Sequence, residues 1–472
     1  MRMKATALTA ALMLGACSMA PTYVRPAAPV PPSWPLGDAY LAQSEVALPT
    51  VSYTEIFRDA RLQTLIGQAL ANNRDLRIAA ANVAAARAQV RVVRANQFPE
   101  LGVSGGGTYS DRNGTANSGT SGGSNGWTYS AQGGVSAFEL DLFGKLASAT
   151  EAQRNAALST EAAARTVRLG LVSDLALAWA TYAADRDLLM IADATAANAQ
   201  RSVELTSARL KGGVAPRTDL RQAQQILETA RGDLARQQTA LAQDINAIRL
   251  LVGADFDQSL LPEGILEVNE ELAVLPAGTS SEVLLRRPDV ISAEYDLRAA
   301  NADIGVARAQ LFPSISLTGL LGFASDALSS LFTSGAFAAT VGADASWSIF
   351  NAGGRAANVD VAKAQRDAAL AAYEKAIQTA FSEVTDALAD QGTLASRLRS
   401  AEAFTEAASD TATLTEARYQ HGIDSYLDNL DAQRSLYSAR QSEVAVRLAA
   451  AANRITLYRV LGGDQGSETE GP

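Results

Sequence analysis

Cysteine and histidine are almost missing from this chain: 472 residues contain one of each, Cys17 and His421. One cysteine excludes a disulfide framework, and one histidine excludes a zinc site built from several Cys or His ligands. Positive charge is also short. The net charge is −10 and the pI about 4.9, which argues against a nucleic-acid-binding surface. Beyond Cys17 no unbroken apolar run reaches about 18 residues, so no transmembrane helix is expected. There is no Walker A motif, dinucleotide fingerprint or calcium loop. Gly102-Val103-Ser104-Gly105-Gly106 has the form of a hydrolase G-x-S-x-G. It lies in a glycine-rich alternating run, outside any strand–turn–helix context, and is read as chance. Asn113-Gly114-Thr115 is a glycosylation sequon in form only. No catalytic residue and no cofactor is expected. Aromatics supply only 6% of residues, while alanine is abundant, a profile suited to long, closely packed helices.

The single cysteine sits at a telling place. Residues 1–16 carry Arg2 and Lys4, an apolar run from Ala5 to Leu14, and small residues, as a secretory signal peptide does. Leu14-Gly15-Ala16-Cys17 resembles a bacterial lipobox, whose thiol is acylated after cleavage; an incidental cysteine is the plainer alternative. Ser18 rather than Asp after it implies the outer membrane, where two or more acyl chains would anchor the protein stably. Residues 17–57 are then a lipid-anchored N-terminal segment. Its prolines, Pro21 to Pro35, favour an extended spacer.

The body is written twice. Ala208–Gln224 (ARLKGGVAPRTDLRQAQ) returns 209 positions later, without a gap, as Ala417–Gln433 (ARYQHGIDSYLDNLDAQ). The earlier parts repeat at an offset of 214: Asp289 answers Asp75, and Arg308, Phe312 and Pro313 answer Arg94, Phe98 and Pro99. Such self-similarity signals a duplicated structural unit. Repeat 1 (58–253) reads as a helix from Arg58 to Gln97, a β-hairpin (99–140), a long helix (144–211), a turn and a second helix. An irregular connector (254–281) leads to repeat 2 (282–463), with its hairpin at 313–350, and a tail (464–472). In the hairpins Leu101, Val103 and Tyr109, then Trp127 and Tyr129, alternate with small residues, as do Ile315, Leu317, Leu321 and Phe323, and then Val341, Trp347 and Ile349. The long helix of 144–211 would extend about 100 Å, which sets the repeated turn at the opposite pole from the strands. Leu169, Val172, Ala176, Trp179 and Ala183 step along it as a coiled-coil seam does.

Four strands cannot close a sheet, and open edges are a liability. Alternating strands of about 10–13 residues suit a membrane barrel, the one closed form a bilayer allows them. Several chains would then have to contribute; three give about twelve strands. The alternative is a pair of soluble hairpins capping a coiled coil.

These stretches carry a family resemblance. Cys17–Pro26, Leu70–Arg77, Leu284–Val290, Ile304–Pro313 and the repeated turn together resemble the TolC-like outer-membrane factors, in the lipoprotein branch that serves resistance–nodulation–division efflux pumps. The resemblance spans essentially the whole mature chain. It implies an α+β, mostly helical membrane protein: a homotrimer with a shared twelve-stranded β-barrel in outer-membrane lipid and an α-helical barrel in the periplasm. Its partners would be a periplasmic adaptor protein and an inner-membrane transporter. The turn features Gly213, Val214, Gly422 and Ile423 would form the adaptor-docking tip. Asp219, Asp428 and Asp431, with Arg418 and Tyr419, would form the pore gate. Asp428 is equally placed to cap a helix, since Ser425-x-x-Asp428 has capping-box spacing. Asp424 stands where some relatives carry a basic latch residue, so that latch is not expected here. Read this way the protein is a passive exit duct for drugs or other small molecules. A duct for secreted proteins and a lipid-anchored periplasmic coiled-coil scaffold are the alternatives, and a hydrolase is a distant third.

Overall fold

The computed structural model describes residues 18–35, 37–40, 52–110, 126–273 and 281–463. The signal-peptide reading, Cys17, most of the Asp111–Gly126 loop and the tail lie outside the described residues. The chain forms α1 (Tyr53–Ile56), α2 (Ala60–Asn72), α3 (Arg74–Ala95), β1 (Leu101–Ser110), β2 (Gly126–Glu139), α4 (Lys145–Lys211), α5 (Arg217–Val252), α6 (Ile265–Glu271), α7 (Pro288–Ala309), β3 (Ser314–Ser325), β4 (Phe337–Ser346), α8 (Gly354–Gln420) and α9 (Tyr426–Val460). The duplicated long helices α4 and α8 each have 67 residues. Two compact units emerge, Met1–Ala27 with Asn82–Glu161 and Ser292–Tyr373, and Ala28–Ala81 with Ala162–Ile291 and Glu374–Pro472. Each unit therefore draws on both sequence repeats.

In the first unit the strands form one antiparallel sheet in the order β1-β2-β3-β4. The two hairpins are thus not separate: β2 pairs with β3, from Tyr129 opposite Ser325 to Glu139 opposite Ser316, with a register shift between Val135 and Phe138. Gly134 beside that irregularity has φ +148°, and a Cβ there would meet the Gly319 carbonyl oxygen at 2.1 Å. Only glycine fits a backbone approach of this kind. β4 starts earlier and ends earlier than its alternation suggests, because its partner β3 begins at Ser314, opposite Ser346, leaving Trp347 and Ile349 no strand to pair with. Short 3-10 turns at Leu328–Ser330 and Ser334–Ala336 shape the connection read as a plain loop. The outermost strands β1 and β4 are exposed at every position. Aromatic rings collect at both ends of the strands: at one end Trp127 stacks on Tyr129 and meets Tyr109 at a tilt of 56°, and at the other Phe143 stacks on Phe312 at 4.7 Å.

The second unit is helical. Leu62, Leu65 and Ile66 of α2, Val172, Leu175 and Trp179 of α4, and Ile248 of α5 are fully buried. The Trp179 ring nitrogen donates to the Leu260 carbonyl at 3.0 Å, satisfying a polar tip that burial would otherwise penalise. Two local expectations are corrected here. The helix expected to run unbroken from Arg58 to Gln97 divides at Asn73, whose side-chain oxygen accepts from the Asp75 and Leu76 amides and so restarts the helix. The connector is not wholly irregular: it holds α6, whose first amide, Ile265, donates to Asp187 at 3.0 Å. The proline-rich spacer packs against the body, where Trp34 is buried and stacks on Phe381 at 5.1 Å.

Candidate functional site

The repeated turns join α4 to α5 and α8 to α9, and their backbones are copies. The Gly213 amide donates to Leu210 at 3.0 Å and the Val214 amide to Arg209 at 3.0 Å. In the second copy the Gly422 amide donates to Tyr419 at 3.0 Å and the Ile423 amide to Arg418 at 2.9 Å. This is the Schellman arrangement, which satisfies carbonyls a helix end would leave open. The glycines take φ +74° and +73° with open space around the missing Cβ, so torsion rather than crowding demands glycine. The adjoining Val214 and Ile423 are 70% and 64% exposed. Apolar side chains held outward on a rigid turn are suited to contact with another surface.

Side chains separate the copies. Arg418 forms a two-pronged ion pair with Asp424, at 2.7 and 2.8 Å. Arg418 holds the Asp424 carboxyl below its usual range through that hydrogen bond. Ser425 and Asp428 close a reciprocal capping box: the Asp428 amide donates to Ser425 Oγ at 3.3 Å and the Ser425 amide to Asp428 Oδ2 at 3.2 Å. Asp428 is therefore a cap whose carboxylate remains exposed. Asp431, one turn on, is exposed and has no hydrogen-bond or ion partner among the described residues. Asp219 is half-buried, and its charge helps burial push the Tyr426 hydroxyl up to about 12, after the larger effects of burial and Tyr419. Tyr419 is not at the surface. It is 5% exposed and packs with Tyr426, Leu430 and Ala223, and its buried hydroxyl has no hydrogen-bond partner among the described residues.

The residue that sequence reading missed is Arg209. Its guanidinium lies 4.7 Å from the Tyr419 ring and donates to the Tyr419 carbonyl at 3.2 Å, tying one turn to the other. Its signal was present, because Arg209 is the counterpart of Arg418. Further along, a cavity of about 920 Å3 opens among α4, α5, α8 and α9, lined by Thr195, Arg221, Gln224, Arg434, Tyr437 and Arg440 among others. The arrangement offers carboxylates, exposed apolar turns and a cavity of mixed polar and apolar lining. It offers no nucleophile with a base. Ser104 of the G-x-S-x-G stretch sits in mid-strand, opposite Gln132 and exposed. Among the described residues no group of His, Cys, Asp or Glu could hold a metal ion, and no helix is long and apolar enough to cross a membrane.

A family model described as "Outer membrane efflux protein" matches residues 65–254 and 279–463. The probable efflux pump outer membrane protein TtgC of Pseudomonas putida is 41% identical over 459 residues, 96% of this chain and 94% of that one. The cation efflux system protein CusC of Escherichia coli is 39% identical over 456 residues, 96% and 97% of the two chains. Among solved structures, the open state of the Neisseria gonorrhoeae MtrE outer membrane channel superposes with a TM-score of 0.83. It is 32% identical and covers 96% of this chain and 100% of its own.

Proposed function

The chain belongs to the outer membrane efflux protein family, and on that footing we propose that it is the outer-membrane channel of a tripartite efflux system. It is a passive duct, without catalysis or cofactor, and it draws its energy from an inner-membrane transporter through a periplasmic adaptor. The observation that carries this reading is a four-stranded sheet whose two outer strands lie open and exposed, in a chain that matches the family across both repeats. Three copies joined edge to edge make a ring of about twelve strands, an even number within the known range. Aromatic rings at both strand ends suit the two faces of a bilayer. The helices of the three copies form the periplasmic barrel, and acyl chains on Cys17 add an anchor.

The turns make the gate and the docking tip. Gly213, Val214, Gly422 and Ile423 present the apolar contact to the adaptor. Asp431 and the exposed face of Asp428, with Asp219 beside them, put roughly six to nine carboxylates around the axis of a trimer, which favours cations through the local field. Arg418 and Tyr419 brace this gate from within each chain. Cargo is not selected by the overall likeness. TtgC and CusC, whose names describe different pumps, are 41% and 39% identical to this chain.

Conductance in planar bilayers tests the duct. The purified protein is expected to form channels, and Asp428→Ala with Asp431→Ala to raise conductance and lower cation preference. No channel from either form would overturn the duct. Copurification with an adaptor and a transporter tests the partners.

A further inference from the structure

The segment that follows Cys17 is not loose chain. Within the first unit it lies along one face of α7, touching Glu294, Arg298, Asn301, Gly305 and Arg308, which are spaced by three and four positions and so share one side of a helix. Glu294, 5% exposed, is the centre. Its carboxylate accepts from Arg25 Nε at 3.0 Å and Nη2 at 2.6 Å, from the Tyr23 hydroxyl at 3.2 Å and from Arg298 Nη2 at 2.6 Å. The Arg298 guanidinium also lies 4.8 Å from the Tyr23 ring. Farther along, Asn301 Nδ2 donates to the Pro21 carbonyl at 2.7 Å and Arg308 Nη1 to the Met19 carbonyl at 3.1 Å. Between them Gly305 leaves a gap that the backbone fills, because a Cβ there would lie 2.8 Å from the Ala20 nitrogen and 2.9 Å from the Ala20 Cβ.

We infer that this face of α7 is a peptide-binding seat, and that its ligand is the chain's own extended segment Ser18–Arg25. Glu294 and Arg298 read the Tyr23 and Arg25 side chains at one end of the ligand, while the Asn301 side-chain amide and the Arg308 guanidinium read its carbonyls towards the other, as in other recognition of extended peptides. Charge-assisted bonds to one buried carboxylate supply the clamp. The duplication sharpens the case. The positions on α3 that answer the seat are Ala80, Ala84, Arg87, Arg91 and Arg94. That copy has no acid to clamp Arg25, and it has an arginine where Gly305 leaves room. The seat therefore exists once per chain, and the strap has a single place to lie.

The seat orients the N-terminus. Met19 is held by Arg308, six positions before β3 begins at Ser314, so the strap ends beside the base of a strand. Acylation of Cys17 is not needed for this. Where it occurs, as the reading above proposes, the acyl chains start about 7 Å along the chain from Met19. The seat, not the lipid, sets where they enter.

Chymotryptic cleavage after Tyr23 in the full-length protein, read by mass spectrometry, tests the seat. Slow cleavage is expected for the native sequence. Arg25→Ala and Glu294→Ala each remove charge-assisted bonds and are expected to speed that cut at least tenfold. Gly305→Leu, which acts by bulk at the other end, is expected to do the same. Arg25→Ala alters only the strap, so it keeps the test sound if a helix variant fails to fold. Cys17→Ser is expected to leave the rate as it was. Rates within twofold across the folded variants would overturn the seat, and so would release of the strap by Cys17→Ser alone. Incorporation of labelled fatty acid, measured on the same preparations, reports lipidation separately. A chain that takes no lipid but protects Tyr23 keeps the seat and loses the anchor.

Discussion

The two turns share one backbone and close it with different chemistry. Where the second copy has Asp424, Ser425 and Tyr419, the first has Ala215, Pro216 and Leu210. The first enters its return helix on a proline that makes no side-chain capping bond, relying on a fixed φ. The second enters on a full capping box and adds an ion pair. The helix pairs behind the turns diverge as well, in the opposite sense. Asp185 of α4 and Asp244 of α5 interact as two carboxyl groups, and burial followed by the Asp185 charge pushes Asp244 up to about 7. Their counterparts in α8 and α9 are Leu394 and Asn453, and Asn453 Nδ2 donates to the Ala387 carbonyl at 2.8 Å. Duplication thus preserved the scaffold and redistributed the charge. The second copy adds an ion pair and a capping box at its turn, and the first keeps a pair of carboxyl groups along its helices.

Substitutions can push the copies together or further apart. The largest effect is expected from Tyr419→Ala, about 3 kcal/mol of stability as for other buried aromatics. The matching Leu210→Ala, at a half-buried position, should cost nearer 1 kcal/mol. Denaturant unfolding compares them, and equal losses would mean that the knot around Tyr419 is not special to the second copy. Ser425→Ala should cost about 1 kcal/mol by opening the capping box. Pro216→Ala should cost only about 0.5 kcal/mol, chiefly by freeing the unfolded chain.

Asp244→Asn gives the first helix pair the neutral residue of the second. Because the folded-state pKa of Asp244 is raised, the folded chain holds its proton more tightly than the unfolded one. Stability is then lost as pH climbs from the ordinary aspartate range through about 7. The Asn variant should melt about 1–3 °C higher than the native protein at pH 8, with the advantage shrinking towards pH 5. A pH-independent difference would break the link to this pair. Asp424→Asn should change least, since its ion pair is at the surface. Here the sign reverses: Asp424 is held low, so its small contribution is present above the ordinary aspartate range and vanishes as pH falls through the lowered value.

Local signals made the helices, strands and turns legible. Seam residues such as Val172, Ala176, Trp179 and Ala183 are buried as their spacing implies, and the turn glycines mark helix ends at Lys211 and Gln420. The break at Asn73 was hidden because asparagine caps and asparagine in mid-helix look alike until a side-chain bond is seen. Contacts between distant positions were illegible. Nothing periodic joins Tyr23 to Glu294, 271 positions away, or Trp34 to Phe381. At the site, the charges and glycines could be read off the sequence. The burial of Tyr419 could not, because it depends on Ala223 and Arg209 from the other repeat.

The open strands β1 and β4 have a consequence for biogenesis. A newly made chain carries two unsatisfied ladders, with Val103 91% and Val341 89% exposed, and each is a template for any passing strand. For the proposed trimer, finding the right neighbour is a race whose rate rises with the concentration of like chains, while wrong pairings draw on the same pool. Its measured stability should therefore depend on protein concentration. In the trimer proposed above, a cell that makes too little of the chain at a time would lose subunits to turnover before partners arrive.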